Sequence, residues 1–182
     1  MQESISNKKI KIPKNIKVSL NNLNNVISIS DLNNKSEIEV NSNIKIYIDP
    51  GFIIISYKKK EFKKYLGLYN TLIKSHLKGI SQKFKVNIFL NGLGFKAKLD
   101  QCKDNLVFRL GYSHDIILNI PENIEVSILK PTQITLHGAD WGKLTQFAHS
   151  IKKLKKVEPY KGKGILLKNE TVLRKEGKKN KK

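Results

Sequence analysis

Near the C-terminus the chain reads VEPYKGKGILLKNETVLRKEGKK, residues 157–179. Two glycines alternate with two lysines behind a tyrosine, and a second basic cluster follows. Lysine supplies a mobile point charge, and glycine removes the bulk that would hold a phosphate away from the backbone. Tyr160, Lys161, Gly162, Lys163 and Gly164 therefore read as an extended strap along a nucleic-acid backbone. Tyr160 either packs its ring on the protein or stacks on a base. The plainer alternative is a turn with solvated lysines. A nucleotide-binding loop does not fit, because such a loop follows a strand and opens a helix, whereas residues 161–164 follow a helical pattern and a proline.

Other chemistry is hard to build from these residues. The sequence has no GxxxxGK[ST], GxGxxG or HExxH pattern, and Cys102 is its single cysteine. No intrachain disulfide can form, and Cys102 reads as a small core residue. Of His76, His114, His137 and His149, His76 has no second ligand at a matching spacing; His137 and His149, twelve residues apart, could converge in space but have no cysteine or clustered carboxylate beside them, so no metal and no cofactor is expected. Asp140 reads as a helix cap rather than as an acid or base. The expectation is a protein that is not an enzyme.

The charge points outward to a partner. Thirty-five Lys and Arg against fifteen Asp and Glu give +20 over 182 residues. Residues 151–182 hold 13 of those cations and three acids, which is half of the net charge. A field of this sign attracts polyanions. Nucleic acid is one candidate, an anionic membrane surface a second, and a basic proteome with no special partner a third. The bias toward Ile, Asn and Lys reflects AT-rich codons, yet codon bias would spread lysines evenly. No apolar run approaches the 18 residues of a membrane span, so no membrane insertion is expected. The opening MQESISNKKIKIP has neither the apolar block of a signal peptide nor an arginine-rich import character.

The elements that position these residues follow from periodicity. Residues 61–80 carry Phe62, Tyr65, Leu66, Tyr69, Leu72, Ile73 and Ile80 at spacings of three and four, a helix with one apolar stripe that Gly79 would end. Gly67 lies inside it. Residues 139–156 repeat the pattern with Trp141, Leu144, Phe147, Ala148, Ile151 and Leu154. Lys152, Lys153, Lys155 and Lys156 crowd its C-terminal turns, where the helix dipole favours cations, and Pro159 stops it. Runs such as residues 44–57, with Pro50 and Gly51 at a turn, alternate as strands do. IKIPKNIKVS at 10–19 matches LNIPENIEVS at 118–127 in six of ten positions, an offset of 108. The repeat predicts one β-ribbon unit used twice. The fold class is α+β, with two modules that each pack an antiparallel sheet against one helix. Residues 1–81 form the first module, 82–165 the second and 166–182 a basic extension.

HGADWGKLTQFAHSIKKLKKVEPYKGKGILLKNETVLRKEGKK resembles the characteristic ending of the bacterial-type ribosomal protein six family of the large subunit. NGLGFKAKL resembles its GVGYRA segment, LGYSH its VGYSH segment, and NKKIKIP its opening. These stretches lie in the family's order over nearly the whole chain. Val157 stands where the family has a proline, and residues 28–50 lack its glycine-containing turn. The resemblance implies two duplicated modules and a structural, non-catalytic role. It implies binding to large-subunit ribosomal RNA near the sarcin–ricin loop and stalk base, among neighbouring ribosomal proteins and with translation factors nearby. It points to residues 160–164 with Arg174, Lys175, Gly177 and Lys178. It also marks Gly111, Tyr112, Ser113, His114, Gly138 and Asp140 as supporting motif positions. The codon bias suggests an organelle-encoded, mitochondrial member, with a plastid or a bacterial cytoplasm as the alternative.

Overall fold

The computed structural model describes residues 8–21, 25–31, 35–102 and 104–177. Short apolar alternations become strands, and proline, asparagine or glycine breaks them where the chain passes from one sheet to another. The first six strands are β1 (Lys8–Lys11), β2 (Lys17–Asn21), β3 (Val26–Ser30), β4 (Lys35–Glu39), β5 (Ile44–Asp49) and β6 (Phe52–Tyr57). They pair antiparallel in two sheets ordered β1-β6-β5 and β2-β3-β4. Pro50 and Gly51 form the β5–β6 turn, with Gly51 at φ 86°. A 3₁₀ turn at Lys60–Phe62 leads into helix α1 (Lys63–Ser81).

The second half repeats this plan. Strands β7 (Phe84–Asn91), β8 (Lys96–Leu99), β9 (Asn105–Arg109), β10 (Ile116–Asn119), β11 (Ile124–Lys130) and β12 (Gln133–Gly138) precede helix α2 (Trp141–Leu154). A last strand, β13 (Gly164–Leu167), follows it. The sheets are β10-β9-β8 and β11-β12-β7-β13. Pair by pair, β7-β12-β11 matches β1-β6-β5 and β8-β9-β10 matches β2-β3-β4. Each helix follows the sixth strand. Two similar α+β modules are therefore present, and β13 is an addition to the second.

The chain divides into two compact units, Met1–Lys83 with Ala139–Trp141, and Phe84–Gly138 with Gly142–Lys182. Each unit has its own core. The first is built largely of isoleucine, with Ile27, Ile29, Ile53, Ile55 and Ile73 fully buried. The second gathers Ile88, Leu106, Phe108, Ile134, Leu136, Leu144, Ile151 and Ile165. Burial of such side chains stabilises each by about 1.5–3 kcal/mol before entropy is counted.

The 108-residue repeat has a different meaning from the one expected. Equivalent positions of the two modules lie about 80 residues apart: Pro13 corresponds to Gly92, and Asn41 to Pro121. These four residues open the four crossovers between sheets. In each crossover the N–H three residues on donates to the first carbonyl: Ile16 to Pro13 at 3.2 Å, Ile44 to Asn41 at 2.9 Å, Phe95 to Gly92 at 3.2 Å and Ile124 to Pro121 at 3.0 Å. Every donor residue is buried. The unit is thus strand, crossover, hairpin, repeated four times. The sequence repeat aligns the first copy with the fourth, since both use proline, and it does not measure the module offset.

Two helix details also differ from expectation. Trp141 is 46% exposed. It is the first residue of α2 and lies outside the buried set, which is Leu144, Phe147, Ala148 and Ile151. Gly79 lies inside the last turn of α1, because Ser81 and Gln82 complete the helix through the Gln82 N–H donating to the Lys78 carbonyl.

Candidate nucleic-acid interface

Among the described residues, the basic side chains singled out above gather around the C-terminal end of α2, and the backbone there explains how. A helix end leaves carbonyls without intrahelical partners. The Leu154 carbonyl accepts from the Tyr112 hydroxyl at 3.0 Å. The Lys155 carbonyl accepts from the Ile165 N–H of β13 at 3.1 Å. Between them the chain reverses. The Gly162 N–H donates to the Glu158 carbonyl at 3.0 Å, and the Glu158 N–H donates to the Lys163 carbonyl at 2.8 Å.

Residues 160–164 are therefore a closed turn rather than an extended strap. The glycines serve the turn itself. Gly162 has φ 69° and Gly164 φ 143°, both in the region L side chains rarely adopt. A Cβ on Gly164 would lie 2.7 Å from the Val157 Cα and 2.8 Å from the Lys156 carbonyl oxygen. The backbone that Gly164 must approach is the protein's own. Gly162 and Gly164 are buried, while Tyr160, Lys161 and Lys163 are exposed to solvent.

The tail returns to this turn. The Lys175 N–H donates to the Pro159 carbonyl at 2.9 Å. The Arg174 guanidinium lies against Gly162, its Nε 3.2 Å from where a Cβ would stand. On the other side, the Lys155 Nζ sits 4.2 Å from the centre of the Tyr112 ring, a cation–π contact. One end of module 2 thus presents Tyr112 with Lys155, the turn with Lys161 and Lys163, and Arg174 with Lys175.

The remaining site residues separate by role. Lys153 and Lys156 are exposed nearby. Lys152 is not: it is paired with Glu170 at 2.5 Å, and the other Glu170 oxygen accepts from the Leu167 N–H at 3.2 Å. That hydrogen bond from Lys152 holds the Glu170 carboxyl below its ordinary pKa, against the opposing effect of partial burial. Sequence reasoning misses Glu170, because its partner lies 18 residues away on a helix. Ser113 and His114 are exposed, with the Ser113 Oγ 3.5 Å from the His114 Nδ1. Gly111 makes its turn at φ 74°. Gly138 is internal, its missing Cβ 3.3 Å from Leu144, so it seats α2 rather than facing a partner. Asp140 stands immediately before the first residue of α2, the cap position. Gly177 is exposed, and Lys178 lies outside the described residues. Among the described residues no group of three His, Cys, Asp or Glu could hold a metal ion, and no helix is long and apolar enough to cross a membrane.

Fold and surface together define a two-module α+β protein with a cluster of exposed cations beside the C-terminal end of α2 in the second module. The family model described as Ribosomal protein L6 matches residues 91–167. Similar over nearly full length are the large ribosomal subunit protein uL6 of Mycoplasmoides gallisepticum, 37% identical over 179 residues with 96% and 95% of the two chains covered; that of Mycoplasma capricolum, 35% over 176 residues with 96% of each; and that of Borreliella afzelii, 34% over 171 residues with 93% of each. The chain belongs to the uL6 family of ribosomal proteins. These relatives are bacterial, so the mitochondrial origin expected from codon bias gains no support from them.

Proposed function

We propose that the chain is a structural, non-catalytic constituent of the large ribosomal subunit and holds ribosomal RNA with the end of module 2. The observation that carries this reading is the convergence on one turn of Lys155, Lys161, Lys163, Arg174 and Lys175, four of them exposed and the turn itself fixed by backbone hydrogen bonds. A rigid turn with outward lysines positions an RNA backbone without reading its sequence. Tyr160, 56% exposed beside them, offers a ring face to a base. The family resemblance supports a seat near the sarcin–ricin loop and stalk base, beside other ribosomal proteins and within reach of translation factors. The bacterial relatives favour a bacterial cytoplasm over an organelle.

The test is binding to a large-subunit RNA fragment that contains the sarcin–ricin loop, at several salt concentrations. Lys161→Ala with Lys163→Ala should weaken binding and reduce the salt slope by about 0.7–0.9 per lost phosphate contact. An unchanged slope and affinity would remove the turn from the interface. Equal binding to an unrelated RNA of the same length would remove the proposed location.

A further inference from the structure

The modules differ at one sheet edge. In module 2 the outer edge of β7 carries β13, antiparallel, with Gly164 opposite Asn91 and Leu167 opposite Ile88. Ile165 of that strand is fully buried in the cluster that contains Ile88 and Ile151 of α2. In module 1 the equivalent strand is β1. It ends its sheet and pairs only with β6 among the described residues. Beside it lies an open cleft of about 540 Å³ between β1 and the last turns of α1. Lys9 and Lys11 line the strand side, Lys74 and Lys78 the helix side, and Ile10 and Leu77 the floor.

We propose that this cleft takes an extended, acidic strand from another protein, added to β1 antiparallel as β13 is added to β7. An edge strand presents N–H and C=O groups ready to pair, and strand addition uses them for affinity while side chains set specificity. The four lysines choose the sign. Lys74 and Lys78 are one helical turn apart and repel each other until an anion comes between them, and no carboxylate is among the cleft's lining residues. The chain's own C-terminal KKNKK and the lysine-rich β1 of a second copy carry the wrong charge for this cleft. An RNA backbone would match the lysines but leave the strand edge unpaired. The proposal does not depend on the ribosomal reading, and a chain that failed the RNA test above could still pass this one.

The probe is a blocked synthetic peptide that repeats the four residues of β13 between acidic ends, titrated into the full-length protein. The expected result is slowed amide exchange within residues 8–11. In the double variant Lys74→Glu and Lys78→Glu, peptide affinity should fall by about tenfold or more. Both lysines are exposed on α1, and an unchanged melting temperature would establish that the variant is folded. A uridine octamer should leave the exchange of residues 8–11 unaltered. The proposal is overturned if saturating peptide leaves those amides unprotected, if the double variant binds as tightly as wild type, or if the octamer protects β1 as the peptide does.

Discussion

Gly164 and Gly162 separate two duties that look alike in the sequence. At Gly164 a methyl group would meet backbone at 2.7 Å and the φ of 143° is unfavourable besides. Gly164→Ala should therefore cost about 3 kcal/mol of stability, measured by denaturant unfolding, and the loss should be the same at every salt concentration. At Gly162 the neighbour is the Arg174 side chain, which can move. Gly162→Ala should cost about 1–2 kcal/mol for the left-handed backbone and should weaken RNA binding by displacing the guanidinium. Glu170 adds a pH signature. Its carboxyl is held below the ordinary range chiefly by the Lys152 hydrogen bond. Its folded pKa is thus lower than its unfolded one, so its contribution is complete above the unfolded value and is lost as pH falls through the folded value. Both groups are partly exposed, which keeps the contribution below about 1 kcal/mol. Glu170→Gln should lower the melting temperature slightly at neutral pH and make no difference in strong acid.

Among the elements, α1 contains a position open to improvement. Gly67 lies within the helix, its Cβ direction meets nothing within 4 Å, and the Thr71 hydroxyl donates to its carbonyl. Gly67→Ala should stabilise the protein by about 1 kcal/mol; an unchanged unfolding midpoint would refute this. The α2 stripe from Leu144 to Ile151 is legible in the sequence because burial on a helix repeats every three to four residues. Trp141 is misplaced by the same rule, because the spacing continues to the helix end, where the core no longer covers it. The four-fold crossover is only half legible. Pro13 and Pro121 share their letters, whereas Asn41 and Gly92 make the same turn with different chemistry, Asn41 by accepting the Asn43 N–H on its side chain at 3.0 Å. The closed turn at residues 160–164 is not legible, since glycine between lysines does not say which surface the backbone approaches. The Tyr112–Lys155 contact joins residues whose separation carries no periodic signal.

For the whole molecule, two cores imply two folding units. A chain opened after Lys83 should yield fragments that each unfold cooperatively with sheet and helix signatures; a fragment without a cooperative transition would contradict this. The fragment from Phe84 onward should carry most of the RNA affinity and the steeper salt dependence, because half of the net charge lies in residues 151–182. The strand order also sets a timetable for synthesis. All of the described pairings of module 1 are complete once Tyr57 has emerged, and α1 follows at once. Module 2 must wait, because β7 receives its second neighbour only from residues 164–167. At about 5–20 residues per second, β7 spends several seconds outside the tunnel with one edge bare. Seven of the 13 cations of residues 151–182 follow β13 in the chain and emerge only after it. A nascent chain thus finishes its second sheet before it displays its full attraction for RNA, and premature capture by the transcripts around it is delayed until there is a folded surface to capture.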